Sequence, residues 1–147
     1  MQLFHLRRAS DDDLDLTYQI TKEAMGEYVV QTWGDWDEGK QREMHREHFN
    51  PSTHRIVVSE GAEVGLLATE EEGSHLWLVK LYLRRSCQRA GLGSALLKQV
   101  FAEAAEVGKP VRLRVLRVNA AAQRFYLRHG FQVTGEEPER IFMVRHE

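Results

Sequence analysis

At 147 residues, with 42% hydrophobic and 29% charged side chains, the chain reads as one globular domain, residues 1–147, long enough to bury a core without disulfides or metals. Its net charge of −2 gives no global reason to expect nucleic acid or an anionic membrane as partner. One cysteine, Cys87, excludes an intramolecular disulfide and fits a reducing compartment. Met1 to Ser10 is too short and too charged for a signal-peptide core, and no apolar run approaches the roughly 20 residues that span a bilayer. A cytoplasmic protein is therefore expected. No metal site is expected either: the seven histidines are scattered, without Cys-x-x-Cys or His-Glu-x-x-His spacing. His45 and His48 sit three apart on a predicted helix, but a third ligand is missing.

Gln2 to Arg8 alternates as a strand. Ser10 then reads as an N-cap with Asp13 as its capping-box partner, and Asp11 to Asp13 favour the positive end of a helix dipole. That first helix is expected to run to about Glu27. Asp37 to Phe49 has helical composition, and Asn50-Pro51 ends it. Arg55 to Glu60 and Glu63 to Glu71 flank a turn at Gly61-Ala62, and Gly73-Ser74 turns the chain into His75 to Leu83. These short connections predict three antiparallel strands in a row.

A helix follows from Ser94 to Val107, with Leu92, Leu96, Val100 and Ala104 at helical spacing, stopped by Gly108 and Pro110. Val111 to Val118 reads as a strand with Val111, Leu113 and Val115 on one face and Arg112 and Arg114 on the other. Asn119 opens a last helix that ends near His129-Gly130. Phe131 to Thr134 and Arg140 to Arg145 are strand-like, joined by a polar loop from Gly135 to Glu139. The order is mixed α/β, and the strand–helix–strand from Leu76 to Val118 allows its two strands to lie parallel and adjacent.

Between strand and helix stands Gln88-Arg89-Ala90-Gly91-Leu92-Gly93. Its glycines let the backbone approach a ligand closely, and the start of the next helix points N–H groups and a positive dipole end at an anion. Arg84, Arg85 and Arg89 cluster around it. Three ligands compete for such a loop. A Walker P-loop needs Gly-Lys-Ser/Thr, but Gly93-Ser94-Ala95 has no Lys. A dinucleotide fingerprint needs a small residue where Leu96 stands, within a first βαβ unit. The third ligand is coenzyme A.

This segment resembles the Gln/Arg-x-x-Gly-x-Gly/Ala loop of the GNAT superfamily of acyl-CoA-dependent N-acyltransferases. Asn119-Ala120-Ala121-Ala122-Gln123-Arg124-Phe125-Tyr126-Leu127-Arg128-His129-Gly130-Phe131 resembles that family's Asn-x-x-Ala-x-x-x-Tyr-x-x-x-Gly-Phe helix. Both motifs occur in the family's order, one helix and one strand apart. The resemblance implies a mixed, mostly antiparallel twisted sheet of about seven strands with about four helices, and a splayed strand pair where coenzyme A binds. It also implies acetyl-CoA as co-substrate, with Leu81, Tyr82 and Leu83 offering backbone groups to pantetheine. Gln88, Arg89, Ala90, Gly91, Leu92, Gly93 and Ser94 would hold the phosphates, and Asn119, Ala122, Phe125 and Tyr126 would line the arm. Arg85 stands where many relatives carry Pro.

Asn119, Ala122 and Tyr126 share a helix face, small Ala122 leaves room, and Asn119 can donate and accept toward an amide. The resemblance implies acetyl transfer to a primary amine by direct attack, with Tyr126 as the acid for the sulfur. No motif selects a base among Glu27, Glu38, Glu70 and His75. Tyr28 to Glu38 reads as an aromatic acceptor-side loop in which Trp33 and Trp36 can face an amine and Glu27, Asp35 or Glu38 can hold its charge. Trp77 can lie on the acceptor side as well. The expected acceptor is a small amine or an amino-acid-like compound, without nucleic acid or membrane. A protein N-terminus or lysine, or a non-catalytic acyl-CoA-binding sensor, are the alternatives. Monomer and homodimer both remain open.

Overall fold

The computed structural model describes residues 4–88 and 91–146. Apolar residues at period two build seven strands: β1 (His5–Arg8), β2 (His54–Ser59), β3 (Ala62–Glu71), β4 (Leu76–Leu83), β5 (Val111–Leu116), β6 (Gln132–Glu136) and β7 (Arg140–Arg145). They form one open sheet in the order β1-β2-β3-β4-β5-β7-β6. Only β4 and β5 run parallel, joined by a helical crossover. Four helices cover the sheet: α1 (Leu14–Trp33), α2 (Glu38–His48), α3 (Leu92–Glu106) and α4 (Ala120–Arg128).

Alternation sorts the strands' side chains between two cores. Leu76, Leu78, Leu113, Val115 and Met143 pack with Leu92, Leu96, Leu97 and Val100 of α3. Ile56, Val58 and Leu66 pack on the opposite side with Leu16 and Ile20 of α1, Phe49 and Tyr82. A bulge in β4 changes the phase. Ala68 opposes Lys80 while Thr69 opposes Leu78, so Val79 is the extra residue. Beyond it, Leu81 and Leu83 join the α3-side core, and Lys80 and Tyr82 share the α1 side.

Several boundaries differ from the sequence expectation. The first helix does not stop near Glu27 but continues to Trp33, so residues 28–33 are helical and only residues 34–37 connect α1 to α2. Val29 and Val30 cost a helix only a few tenths of a kcal/mol each, and packing of α1 against β3 and β4 outweighs that. Gly34 ends the helix at φ 98° with its N–H donating to Val30 O at 2.8 Å, a left-handed cap suited to glycine. Strand β5 ends at Leu116, where Asn119 N–H turns back onto Leu116 O. Strand β6 extends to Glu136 and takes in Gly135, which had been expected in the loop.

Candidate functional site

Strands β4 and β5 pair only at Leu76↔Val111 and Trp77↔Arg112. Past that point the ladder stops, while β4 stays bonded to β3 through Leu83 and β5 to β7 through Leu116. The β5-facing edge of β4 beyond Trp77, with its N–H and C=O groups, thus has no strand partner. An extended chain carrying amides, such as pantetheine, fits such an edge by adding to it as a strand would.

The glycine loop closes the end of this edge. Gln88 Nε2 donates to Leu83 O at 3.0 Å and so ties the loop to the last residue of β4. Gly91 adopts φ 81°, a left-handed conformation that starts α3 at Leu92. Arg89 and Ala90 lie outside the described residues. Beside them, Arg84 and Arg85 pair with Glu23 and Glu27 of α1 at 3.3 and 2.8 Å.

The two sequence motifs meet. A Cβ on Gly93 would approach the Phe125 ring to 3.4 Å, so glycine there lets α3 and α4 pack closely. The His129 Nδ1–H donates to Phe125 O at 2.8 Å, which leaves Nε2 to accept from Ser94 Oγ at 3.1 Å. Asn119 has a further, structural duty: its Oδ1 accepts from Ala122 N at 3.1 Å and caps α4. Ala122 and Phe125 are half-buried against the α3-side core.

Two tyrosines converge at the open strand pair. Tyr126 packs on Phe125 and Phe131 with ring centroids 5.3 and 5.4 Å away. Tyr82 belongs to the α1 side and Tyr126 to the α3 side, and the charge state of Tyr82 acts on Tyr126 across the sheet. Neither hydroxyl hydrogen-bonds to another described residue. Burial raises Tyr126 well above an ordinary phenol and pushes Tyr82 up to about 12, against the lowering effect of Arg114 and Arg140. Both are therefore protonated at neutral pH and can donate.

Two of the acidic candidates are engaged elsewhere. Glu27 is held by Arg85; Glu38 accepts from Lys22 and, at 2.8 Å, from the Tyr18 hydroxyl, which keep it below the usual carboxylate range. His75 and Glu70 lie at the paired end of β4. There His75 contacts Ser74 and Glu72 and packs on Trp77, and Glu70 opposes Trp77. Trp36 is half-buried, its indole N–H donating to Tyr18 at 2.9 Å. Trp33, 49% exposed at the end of α1, stacks under the Arg140 guanidinium 5.4 Å away. Sequence reading passed over Lys80, although it is the one charged residue in Leu76–Leu83, and over Arg140.

Residues 50–133 match the family model described as an acetyltransferase (GNAT) domain, more than half of the chain. The chain belongs to the GNAT acetyltransferase family. Solved structures share this GNAT fold over nearly its full length. PaiA N-acetyltransferase from Thermoplasma acidophilum in complex with coenzyme A is 18% identical with a TM-score of 0.80, covering 100% of both chains. The ribosomal-protein-S18-alanine N-acetyltransferase from Escherichia coli is 19% identical with a TM-score of 0.72, covering 97% of this chain and 92% of its own. Ard1 from Thermoplasma volcanium is 22% identical with a TM-score of 0.69, covering 98% and 97%. No curated protein sequence matches significantly. Among the described residues, this GNAT domain has no helix long and apolar enough to cross a membrane, and no cluster of three metal-ligating side chains.

Proposed function

We propose that the protein transfers the acetyl group of acetyl-CoA to the nitrogen of a primary amine by direct attack. The observation that carries this reading is the split of strands β4 and β5, which stop pairing after Trp77 and Arg112, with Tyr82 on the α1 side and Tyr126 on the α3 side of the sheet. The free edge of β4 would hold the pantetheine arm, and the loop from Gln88 to Ser94 with the start of α3 would hold the phosphates. Acetyl-CoA supplies an activated thioester carbon. This chain's part is to align it, present a backbone N–H near Leu81 to the developing oxyanion, and return a proton to the sulfur from Tyr126.

Direct attack is favoured over an acyl-enzyme. Cys87 packs on the α3-side core, and its Sγ has only Ser86 Oγ, at 3.8 Å, as hydrogen-bond partner among the described residues. No base activates it as a nucleophile. The PaiA complex with coenzyme A supports acetyl-CoA as the co-substrate, and the ribosomal-protein-S18-alanine N-acetyltransferase supports a protein amine as one kind of acceptor. Both small amines and peptides with free amino termini therefore belong in the assay. Incubation with acetyl-CoA and such a panel is expected to release free thiol in step with N-acetylated product. Tight binding of acetyl-CoA with no turnover on any amine would instead support a non-catalytic acyl-CoA sensor.

A further inference from the structure

Among the described residues six arginines have carboxylate partners: Arg7 with Asp13, Arg42 with Asp15, Arg55 with Glu103, Arg84 with Glu23, Arg85 with Glu27 and Arg117 with Glu136. At the mouth of the split strand pair the cations have none. The side chains of Lys80, Arg112, Arg114 and Arg140 make no ion pair or hydrogen bond with any described residue. They share one face. Arg112 and Arg114 alternate with the core residues Val111, Leu113 and Val115, and so point to the α1 side of the sheet. In the β5–β7 register Arg114 opposes Phe142 and Leu116 opposes Arg140, which sets Arg114 and Arg140 on one diagonal, about 7–8 Å apart at the backbone.

Helix α1 packs on β3 and β4, and Arg112 and Arg114 on this β5–β7 face are exposed; Trp33, at the helix end, reaches the half-buried Arg140. Both guanidinium charges act on the Tyr82 phenol, and Lys80 lies two residues before Tyr82 on the same face. The acids nearby do not neutralise the group. Glu70 acts on Lys80 without an ion pair, and Glu139, next to Arg140 in sequence, forms no ion pair with it.

We propose that this face is an anion subsite, and that the acceptor is a primary amine carrying a carboxylate, held by Arg114 and Arg140 while its nitrogen reaches the thioester beside Tyr82. The inference rests on the acetyltransferase reading and names its substrate class. A guanidinium presents a planar fork of donors matched to a carboxylate, and a stack of Trp33 on Arg140 keeps one fork aimed. The same cations work on the amine. Positive charge beside a protonated amine lowers its pKa, so the bound acceptor gives up its proton to solvent without a carboxylate base. That agrees with Glu27 and Glu38 being committed to ion pairs. The neutral nitrogen then bonds to the acetyl carbon and the C–S bond breaks; the sulfur takes its proton from Tyr126 and leaves as a thiol, and the second proton of the nitrogen, passed through solvent, restores the phenol. A polyamine, bringing a second cation, is repelled by the same face.

Kinetics with acetyl-CoA held constant test this, using glutamate, aspartate, a peptide with acidic residues after its free N-terminus, the amide counterparts of each, and spermidine. The expected result is a preference of about tenfold or more in kcat/KM for each acid over its amide, with spermidine poorest. Arg114→Gln and Arg140→Gln should each raise the KM of the acid about tenfold, with the KM of acetyl-CoA unchanged and part of the loss recovered in Arg114→Lys. Turnover of free amino acids, or of the acidic peptide alone, assigns the carboxylate to one source or the other, and either upholds the subsite. Preference for amides or spermidine, or indifference to both arginine changes, overturns it. Calorimetry with coenzyme A present separates this idea from the parent one. Binding of glutamate or the acidic peptide that is lost in Arg114→Glu/Arg140→Glu sustains the subsite even where no amine is acetylated. Absence of such binding removes it.

Discussion

Replacing Tyr126 with phenylalanine is expected to lower kcat about 100-fold while the Kd of acetyl-CoA moves less than about threefold. The change removes one oxygen whose hydrogen-bond partner is not another described residue, and keeps the ring packing against Phe125 and Phe131. Folding and binding should therefore survive it. What is lost is a phenol that burial holds in its protonated form. General acids contribute about 10²–10⁴ in rate. The low end applies here because a thiolate, with a thiol pKa near 8.5, is already a fair leaving group. Steady-state kinetics beside calorimetric binding make the check. A full-activity Tyr126→Phe enzyme, or a loss seen only in Tyr82→Phe, would move the proton donor to the other side of the sheet.

The second large effect is on stability in acid. His54 is 2% exposed; its Nδ1–H donates to Asn50 O at 2.8 Å, and Nε2 is buried without a partner. Thr17 Oγ1 already donates to the carbonyls of Asp13 and Leu14, so His45 Nε2–H donates to Thr17 Oγ1, at 2.7 Å. Burial first, then the charge of Lys80, lowers both histidines to about 4, and Arg42 adds to the effect on His45.

A folded pKa below the unfolded 6.5 means that the unfolded chain binds more protons between those values, so stability falls as pH drops through that window. At pH 5 the loss is about 2 kcal/mol for each histidine relative to pH 8. Lys80, lowered to about 8 by burial, loses its share between pH 10.5 and 8 and is constant below. Asp13, Glu38 and Glu103, held low by Arg7, Lys22 and Arg55, add their losses mainly below pH 5. Urea midpoints should thus drop sharply from pH 8 to 5 in the native protein and much less in His45→Gln/His54→Gln. Equal midpoints at the two pH values would mean that both rings are charged in the fold.

The residues proposed for the cofactor half could be picked out from the sequence because their logic is local. Gly91 and Gly93 answer to backbone angle and ring contact, and Asn119 to Tyr126 is one helical stretch whose face follows from spacing. The acceptor half is assembled from residues far apart in sequence. Arg114 and Arg140 become neighbours only through the β5–β7 register, and Lys80 turns to the α1 side only because Val79 bulges. Alternation alone would place Lys80 in the α3-side core with Leu76 and Leu78. The segment from Tyr28 to Trp33 misled for a related reason: its aromatic and β-branched residues look like a loop or strand, and only the packing of α1 on the sheet keeps it helical.

A structure of the protein with coenzyme A bound tests the central claim most directly. The account predicts the pantetheine arm along the free edge of β4, the phosphates at the start of α3, and the sulfur between the hydroxyls of Tyr82 and Tyr126 within hydrogen-bond reach of Tyr126. Coenzyme A seated elsewhere, or a sulfur distant from both phenols, would contradict it.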